Sequence, residues 1–228
     1  LISYAPNYLD SITQKRKGEF AKLIADSYFK KNQFKTSLSF YKIFKKHAKS
    51  DRESNYQVAF CYYKTNDLRK AVELFASIAY KEDSLAQLCY YHMADSYLKL
   101  EEKDYARNAF QKASKLSFDD EIKRNSLFNY AKLAYELSYN PYDEAINSFQ
   151  EFINLYPDTE DAKEAYEFLL KVYLTTKNYD DALKSMEKIK NKDPRMQKAY
   201  QSIVYNRAVE QFHNREYKQA ITNFELVK

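Results

Sequence analysis

The sequence predicts an all-α protein built from repeated helical hairpins, and two observations support this prediction. The first is composition, because 228 residues include a single glycine, Gly18, and only four prolines. β-sheet and doubly wound α/β folds need many turns built on glycine and proline, so this composition favours helices joined by short loops. The second is a pattern of small and aromatic residues that returns six times, at intervals of 34 to 39 residues.

The complete pattern begins with a small residue and has an aromatic residue three positions later, and three of the six copies depart from it at Ala134, Leu170 or Gln211. A second small residue follows twelve positions after the first, and a large apolar residue four positions after that. The copies are Ala25, Tyr28, Ser37, Tyr41; Ala59, Tyr62, Ala71, Phe75; Ala94, Tyr97, Ala106, Phe110; Ala131, Ala134, Ala145, Phe149; Leu170, Tyr173, Ala182, Met186; and Ala208, Gln211, Ala220, Phe224. The fourth copy contains two additional residues near Asn140 and Pro141. Small residues at these spacings allow two antiparallel helices to pack closely.

The repeats predict the domain organisation of the chain. Residues 1–16 fit the pattern poorly, with Pro6 interrupting it, and are interpreted as an N-terminal extension or the end of an upstream element. The array occupies residues 17–228, in copies at approximately 17–50, 51–84, 85–121, 122–159, 160–195 and 196–228. The chain begins without methionine and stops within an amphipathic run, so we expect a fragment of a longer protein.

Several helix boundaries can be read from side chains that cap helices. Asp119, Asp158, Thr159 and Asp193 are placed to accept hydrogen bonds from first-turn amides, and Pro194 suits the first helical position. An aromatic residue or leucine is expected just before the second helix in five copies: Phe34, Leu68, Tyr142, Tyr179 and Tyr217.

The period and the small–aromatic pattern resemble the tetratricopeptide repeat family, whose period is about 34 residues. The resemblance implies a right-handed α-solenoid of about six antiparallel helix-turn-helix repeats. It also implies a scaffold that binds proteins and is not an enzyme. Departures from the family pattern are the missing tryptophans and glycines, Lys103 in place of an aromatic residue, and Leu170 at a small position.

In this family the first helices line an inner, concave wall, and their outward-facing residues are the candidate contacts for a peptide or helix of a protein partner. The predicted groove residues are Lys22, Asp26, Phe29, Tyr56, Phe60, Tyr63, Leu88, Tyr91, His92, Asp95, Phe128, Lys132, Tyr135, Glu167, Lys171, Tyr205, Val209 and Phe212. The predicted wall is aromatic, and aromatic residues are enriched at protein interfaces. Each aromatic residue alone could equally pack between repeats.

The sequence offers little for catalysis. It has three histidines and contains no glycine-rich nucleotide loop and no nucleophile elbow, so we expect no catalytic residues and no cofactor. Cys61, Cys89 and His92 could supply three zinc ligands, but no fourth is evident, and structural zinc normally takes four. We therefore expect no metal, and we expect the two cysteines to be buried free thiols.

Charge and known clamp residues narrow the choice of partner. The net charge is +5, from 37 basic and 32 acidic residues that alternate along the chain, which does not favour nucleic acid. Tetratricopeptide domains that capture acidic chaperone tails use lysine, asparagine and arginine on their first helices. Here Lys22 is followed by Asp26, and the third repeat offers Tyr91 and Asp95, so that clamp is absent.

Two alternatives to a protein-binding scaffold remain open from the sequence. One is an RNA-binding helical repeat array, and the other is a spacer for an enzymatic domain outside this segment.

A further resemblance concerns residues 149–182, which read FQEFINLYPDTEDAKEAYEFLLKVYLTTKNYDDA. This segment resembles repeats of bacterial cell-envelope tetratricopeptide proteins, such as outer-membrane assembly lipoproteins and periplasmic cell-division coordinators. It implies a bacterial periplasmic or outer-membrane-associated location more than a cytoplasmic one. No apolar window is long enough to cross a bilayer, so we expect no membrane span in this segment.

Overall fold

The structure is a computed structural model, and it describes residues 13–137, 144–175, 177–187, 189 and 194–227. Within these ranges it contains twelve α-helices and no strand, which confirms the predicted all-α helical-repeat fold. In chain order the helices are α1 Gln14–Lys30, α2 Phe34–His47, α3 Arg52–Lys64, α4 Leu68–Ile78, α5 Ser84–Lys99, α6 Lys103–Lys115, α7 Asp120–Leu137, α8 Glu144–Leu155, α9 Glu160–Thr175, α10 Tyr179–Glu187, α11 Pro194–His213 and α12 Tyr217–Leu226.

The chain divides into two compact units, Leu1–Ser126 and Leu127–Lys228, with the boundary inside α7. Three hairpins, α1–α2, α3–α4 and α5–α6, lie in the first unit. The second unit contains the rest of α7 and the helices α8 to α12. Helix α1 begins within the predicted N-terminal extension, whose residues 1–12 lie outside the described part of the chain.

The small residues of the repeat pattern form the contact between the two helices of each hairpin. Ser37 and Ala25 show how close this contact is, because the Ser37 hydroxyl donates a hydrogen bond to the Ala25 carbonyl at 2.8 Å. A large side chain at either position would separate the backbones. The small residues of the pattern that are almost completely buried are Ala25, Ser37, Ala59, Ala71, Ala94, Ala106, Ala131, Ala145, Ala182, Ala208 and Ala220. The fifth copy departs from this pattern, since Leu170 is half-buried and the preceding Leu169 is fully buried.

Three predicted helix starts are found as expected. Asp119 accepts a hydrogen bond from the Ile122 amide at 3.0 Å, and the Thr159 hydroxyl accepts one from the Ala162 amide at 3.1 Å. Pro194 is the first residue of α11. Four second helices begin one residue earlier than predicted, because Phe34, Leu68, Tyr179 and Tyr217 are each the first residue of the helix that they were expected to precede. Asp193 and Tyr142 lie outside the described residues.

The turns inside four hairpins each contain one residue other than glycine in the left-handed conformation. Asn32, Asn66, Glu101 and Arg215 have φ between 56° and 66°, in the left-handed region. Around Glu101, the Glu101 amide bonds the Leu98 carbonyl at 3.0 Å and the Glu102 amide bonds the Tyr97 carbonyl at 2.9 Å. This second bond spans six residues, as in a Schellman motif, and it satisfies carbonyls at the end of the first helix. The chain thus closes its hairpins without glycine, although left-handed backbone is costly for most residues.

We expect Glu101→Gly to stabilise the protein by about 1 kcal/mol, because glycine adopts positive φ without a steric penalty. Thermal or urea unfolding measures the change. Asn66→Gly is the matched control, and its gain should be smaller because asparagine tolerates this conformation. A lower unfolding temperature for Glu101→Gly would contradict the account of the turn.

A buried glutamine holds the connection between α6 and α7. The Gln87 side chain is fully buried, and its Nε2 donates to the carbonyls of Leu116 at 2.8 Å and Asp119 at 3.1 Å. Its Oε1 accepts from the amides of Phe118 at 3.2 Å and Asp119 at 2.8 Å. A loop whose polar backbone groups face a core must have them satisfied, and here one side chain does so.

Gln87→Met, which keeps approximate volume but removes both polar atoms, should lower the free energy of unfolding by at least about 2 kcal/mol. The reason is that backbone amides and carbonyls of the loop then stay buried without partners. Urea denaturation monitored by far-UV circular dichroism measures the effect. An unchanged unfolding midpoint would show that the loop does not depend on Gln87.

Candidate functional site

The first helices of the first unit bring six of the predicted groove residues into one continuous surface. We call this surface the aromatic strip, and it consists of Phe29, Tyr56, Phe60, Tyr63, Tyr91 and His92. Each member is partly buried and partly accessible. Ring centroids are 5.6 Å apart for Phe29 and Phe60, 5.7 Å for Phe60 and Tyr63, 5.1 Å for Phe60 and His92, and 5.7 Å for Tyr91 and His92.

Two residues of the second helices pack against the strip, and they were not among the groove residues predicted from the sequence. Phe34 lies 5.6 Å from both Phe29 and Phe60. Phe75 is fully buried and lies 5.7 Å from Tyr56 and 5.6 Å from His92. Both residues could have been predicted from the sequence, because Phe75 occupies the large apolar position of the repeat and Phe34 lies at the start of a second helix.

Within the strip, His92 is surrounded by other rings. It packs among Tyr56, Phe60, Tyr63 and Phe75, with ring centroids 5.1 to 6.1 Å away. Its Nδ1 is buried and has no hydrogen-bond partner among the described residues. Burial lowers the pKa of His92 to about 4, which keeps the imidazole neutral near pH 7.

A polar rim follows the strip where Tyr63 meets the next first helix. The Tyr63 hydroxyl donates to the Asp95 carboxylate at 2.5 Å, and the Lys99 ammonium donates to the Tyr63 hydroxyl at 2.8 Å. Lys99 is also paired with Asp95 at 2.7 Å. Burial and the Asp95 hydrogen bond raise the pKa of Tyr63. Lys64 lies over the Phe60 ring at 5.2 Å, a cation–π contact.

At the other end of the first unit, the predicted groove residues Lys22 and Asp26 are already engaged. The Lys22 ammonium lies 3.5 Å from the Asp51 carboxylate, and Asp26 accepts a hydrogen bond from the Tyr41 hydroxyl at 2.5 Å. Burial, followed by this hydrogen bond, raises the pKa of Tyr41. Leu88 is half-buried. A chaperone-tail clamp, which the sequence does not predict, would need free cationic side chains here, and Lys22 is paired with Asp51.

In the second unit the predicted residues form smaller groups. Phe128 departs from its assignment as a groove residue, because it is buried against Phe152 with centroids 5.2 Å apart. The apolar position chosen on α7 therefore faces the paired helix α8. Tyr135 contacts Phe168 at 5.3 Å, and sequence reasoning missed Phe168.

The remaining residues of the second unit divide between ion pairs and exposed rings. Lys132 pairs with Glu164 at 2.8 Å, and Glu167 pairs with Arg195. Lys171 lies over the Phe168 ring at 5.6 Å, and Val209 is half-buried. Tyr205 and Phe212 are about half exposed.

The described residues contain no group of three or more histidine, cysteine or acidic side chains that could hold a metal ion. Cys61 and Cys89 are buried free thiols, as predicted, and burial raises their pKa to about 11 and about 12 respectively. A thiol protonated at neutral pH is a poor nucleophile. Among the described helices, none has the length and apolar character needed to cross a membrane.

Comparison with known proteins supports the repeat assignment. Residues 89–120 and 125–159 each match a family model described as a tetratricopeptide repeat. These segments coincide with most of α5–α6 and α7–α8. A search of curated protein sequences finds no match.

A solved tetratricopeptide structure, that of YrrB, shares the fold. YrrB, described as a tetratricopeptide protein with an unusual peptide-binding site, superposes with a TM-score of 0.57 at 17% identity, covering 87% of this chain and 98% of YrrB. A signal-transduction ATPase with a tetratricopeptide sensor from Pyrococcus horikoshii gives 0.46 at 16% identity, covering 100% of this chain and 38% of the ATPase. The TPR2AB domain of yeast Sti1 gives 0.39 at 14% identity, covering 92% of this chain and 89% of that domain. At these identities the likeness to YrrB concerns the fold alone.

The stability of the protein should fall as the pH drops from about 6.5 to about 4, because the unfolded chain binds a proton at His92 before the folded chain does. His92→Phe should flatten the curve of unfolding free energy in this window, measured by urea denaturation at several pH values. Asp83 acts in a separate, more acidic window. The Arg52 hydrogen bonds hold the pKa of Asp83 at about 2, so its contribution is complete above about 3.8 and is lost as the pH falls towards 2. An identical slope between pH 6.5 and 4 in both proteins would contradict the burial of a neutral His92.

Proposed function

We propose that this chain is a non-catalytic scaffold that binds a peptide or helix of a protein partner on the aromatic strip. The observation that supports this proposal is the strip itself: six planar side chains from three consecutive first helices touch one another and stay partly accessible. A core cluster would be closed to solvent. Scattered surface aromatics would not contact each other, whereas contiguous accessible apolar surface is typical of binding sites.

The strip is organised before any partner arrives. Phe60 is fixed by Phe29, Phe34 and His92, and Tyr63 by its hydrogen bonds to Asp95 and Lys99. Side chains that are already held lose little rotamer freedom on binding, so more of the contact energy is retained as affinity. Aromatic rings also provide large contact areas for few rotatable bonds.

The rim indicates how a partner is oriented. Lys64 and Lys99 both lie over the Tyr63 ring, and Asp95 accepts a hydrogen bond from its hydroxyl, so a bound segment meets cations and an acid within a short distance. Exposed charges of this kind contribute modest affinity but select register and orientation. The mixed sign supports a protein partner over the backbone of RNA, which would favour a consistently basic surface.

We further propose that the partner belongs to a bacterial envelope complex. The support is the resemblance of residues 149–182 to repeats of envelope tetratricopeptide proteins. In the structure this segment is α8, α9 and the start of α10. Fractionation of the native cell tests the location, and a purely cytoplasmic distribution would contradict it.

A photo-crosslinking amino acid at position 91 should capture a protein partner in the native cell, whereas the same amino acid at position 105 should not. Tyr91 belongs to the strip, and Tyr105 is an exposed tyrosine on the second helix α6. Tyr91→Ala should then weaken binding of the identified partner about tenfold or more, as expected of an interface hot spot, and Tyr105→Ala should not. Isothermal titration calorimetry with purified proteins measures the affinities.

Two outcomes would contradict the scaffold. One is equal capture at positions 91 and 105, which would show that the strip is not the contact. The other is a tight, steeply salt-dependent affinity for single-stranded RNA that Tyr91→Ala abolishes, which would favour the RNA-binding alternative. Circular dichroism of each variant confirms that the helices are retained.

A further inference from the structure

A pocket lies between α2 and the hairpin α3–α4, and none of the six strip residues lines it. We call it the lysine pocket. Its volume is about 830 Å³. One water molecule occupies about 30 Å³ in the liquid, so the pocket has space for a segment of polypeptide and not merely for one small ion. Leu38 and Tyr62 give it apolar surface, and its charged side chains are Lys35, Lys42, Asp67 and Lys70.

The charges of the lysine pocket do not balance. The Lys70 ammonium is paired with the Asp67 carboxylate at 2.6 Å and lies 5.5 Å from the centre of the Tyr62 ring. Lys35 and Lys42 are exposed, and neither side chain forms an ion pair with another described residue. Three lysines and one aspartate leave two positive charges in excess, and these belong to the two unpaired lysines.

The equivalent space between the hairpins α3–α4 and α5–α6 is neutralised by the chain itself. Counted from the first small residue of each repeat, Lys35 corresponds to Arg69 and Asp67 to Glu102. Arg69 donates to the Glu102 carboxylate at 3.0 Å, which joins the second repeat to the third. In the lysine pocket the corresponding acid, Asp67, is paired with Lys70 instead. Lys35 therefore lacks the partner that Arg69 has.

Aromatic stacking further closes the equivalent space. Tyr62 corresponds to Tyr97, and Lys70 corresponds to Tyr105. The Tyr105 ring stacks on the Tyr97 ring, with centroids 5.3 Å apart and an angle of 25° between the planes. The position of Lys42 is an alanine in the second repeat. The lysine pocket thus differs from its equivalent by two unpaired cations and by a tyrosine ring that faces a lysine.

We propose that the lysine pocket binds an acidic segment of a protein partner. The ammonium groups of Lys35 and Lys42 each donate to a carboxylate of the segment, and hydrogen bonds between ionised groups are the strong ones. The Tyr62 hydroxyl has no partner among the described residues and is a further donor. Leu38 and the Tyr62 ring offer apolar surface to the stems of acidic side chains. The proposal does not depend on binding at the aromatic strip.

Fluorescence anisotropy of the 228-residue chain with a fluorescein-labelled hexaglutamate peptide, at physiological ionic strength, tests the proposal. Lys35→Glu and Lys42→Glu should each weaken binding about tenfold or more, because each replaces a donor by an acid that repels the peptide. Lys115→Glu is the matched control, since it makes the same change of charge at an exposed lysine of α6 outside the pocket, and it should leave the affinity nearly unchanged. All three lysines are exposed, so the helices should be retained, and circular dichroism confirms this.

Two further probes test the chemistry of the ligand in the same assay. A serine hexapeptide that carries phosphoserines reports the binding of phosphate groups, and single-stranded oligouridylate reports the binding of RNA. Binding of either probe without binding of hexaglutamate would overturn the proposal, as would a failure of all three to bind. Equal weakening by Lys35→Glu and Lys115→Glu would also overturn it, because that pattern indicates attraction to the net charge of the protein. Tyr91→Ala should leave hexaglutamate binding unchanged, so that failure of the lysine pocket and failure of the aromatic strip give different results.

Discussion

Close approach of two antiparallel backbones at paired small residues is the constraint on which the structure depends. Ala25 and Ser37 illustrate it, since the Ser37 hydroxyl reaches the Ala25 carbonyl directly across the hairpin. With no space for large side chains where these small residues meet, the aromatic residues must occupy other positions along the helices. Some stack within a hairpin, as Tyr28 does on Phe40 at 5.6 Å, and others project from the first helices. The aromatic strip is therefore a consequence of how the hairpins close.

The same close packing leaves polar backbone groups in places that water reaches poorly, and the chain satisfies them with single side chains. Gln87 supplies both donors and acceptor to the loop before α7. Gln150 has a similar role in the second unit, where its Nε2 donates to the Ser185 backbone carbonyl at 2.5 Å and also to the Tyr173 hydroxyl at 2.9 Å. His92 differs, because its buried Nδ1 lacks such a partner among the described residues and its ring is held by aromatic contacts. Polar burial thus stabilises the connections, whereas ring packing organises the strip.

Ion pairs between successive repeats fix the position of one hairpin relative to the next. The Arg52 guanidinium on α3 donates to the Asp83 carboxylate, and the Arg52 Nε also donates to the Ile78 carbonyl at 2.8 Å. The same Asp83 carboxylate caps α5 by accepting a hydrogen bond from the Ala86 amide at 2.9 Å. One guanidinium therefore joins the end of α4 to the start of α5. A bidentate pair with partial burial fixes geometry more strongly than the exposed pairs on single helices. Fixing the angle between hairpins fixes the spacing of the rings that each one contributes to the strip.

The sequence by itself determined the helices, their pairing and most of their starts, because these depend on local spacing: small residues twelve apart, capping side chains and the near absence of glycine. It also identified the residues that form the aromatic strip. Tertiary structure alone decided which of the predicted groove residues remain accessible, because exposure depends on contacts between residues far apart in the chain. Phe128 is buried against Phe152, and the Nδ1 atom of His92 is buried although its ring stays partly accessible, whereas the repeat pattern places both residues on the outward face. The left-handed conformation of Glu101 could not be predicted from the sequence either, because it is imposed by the helices on either side.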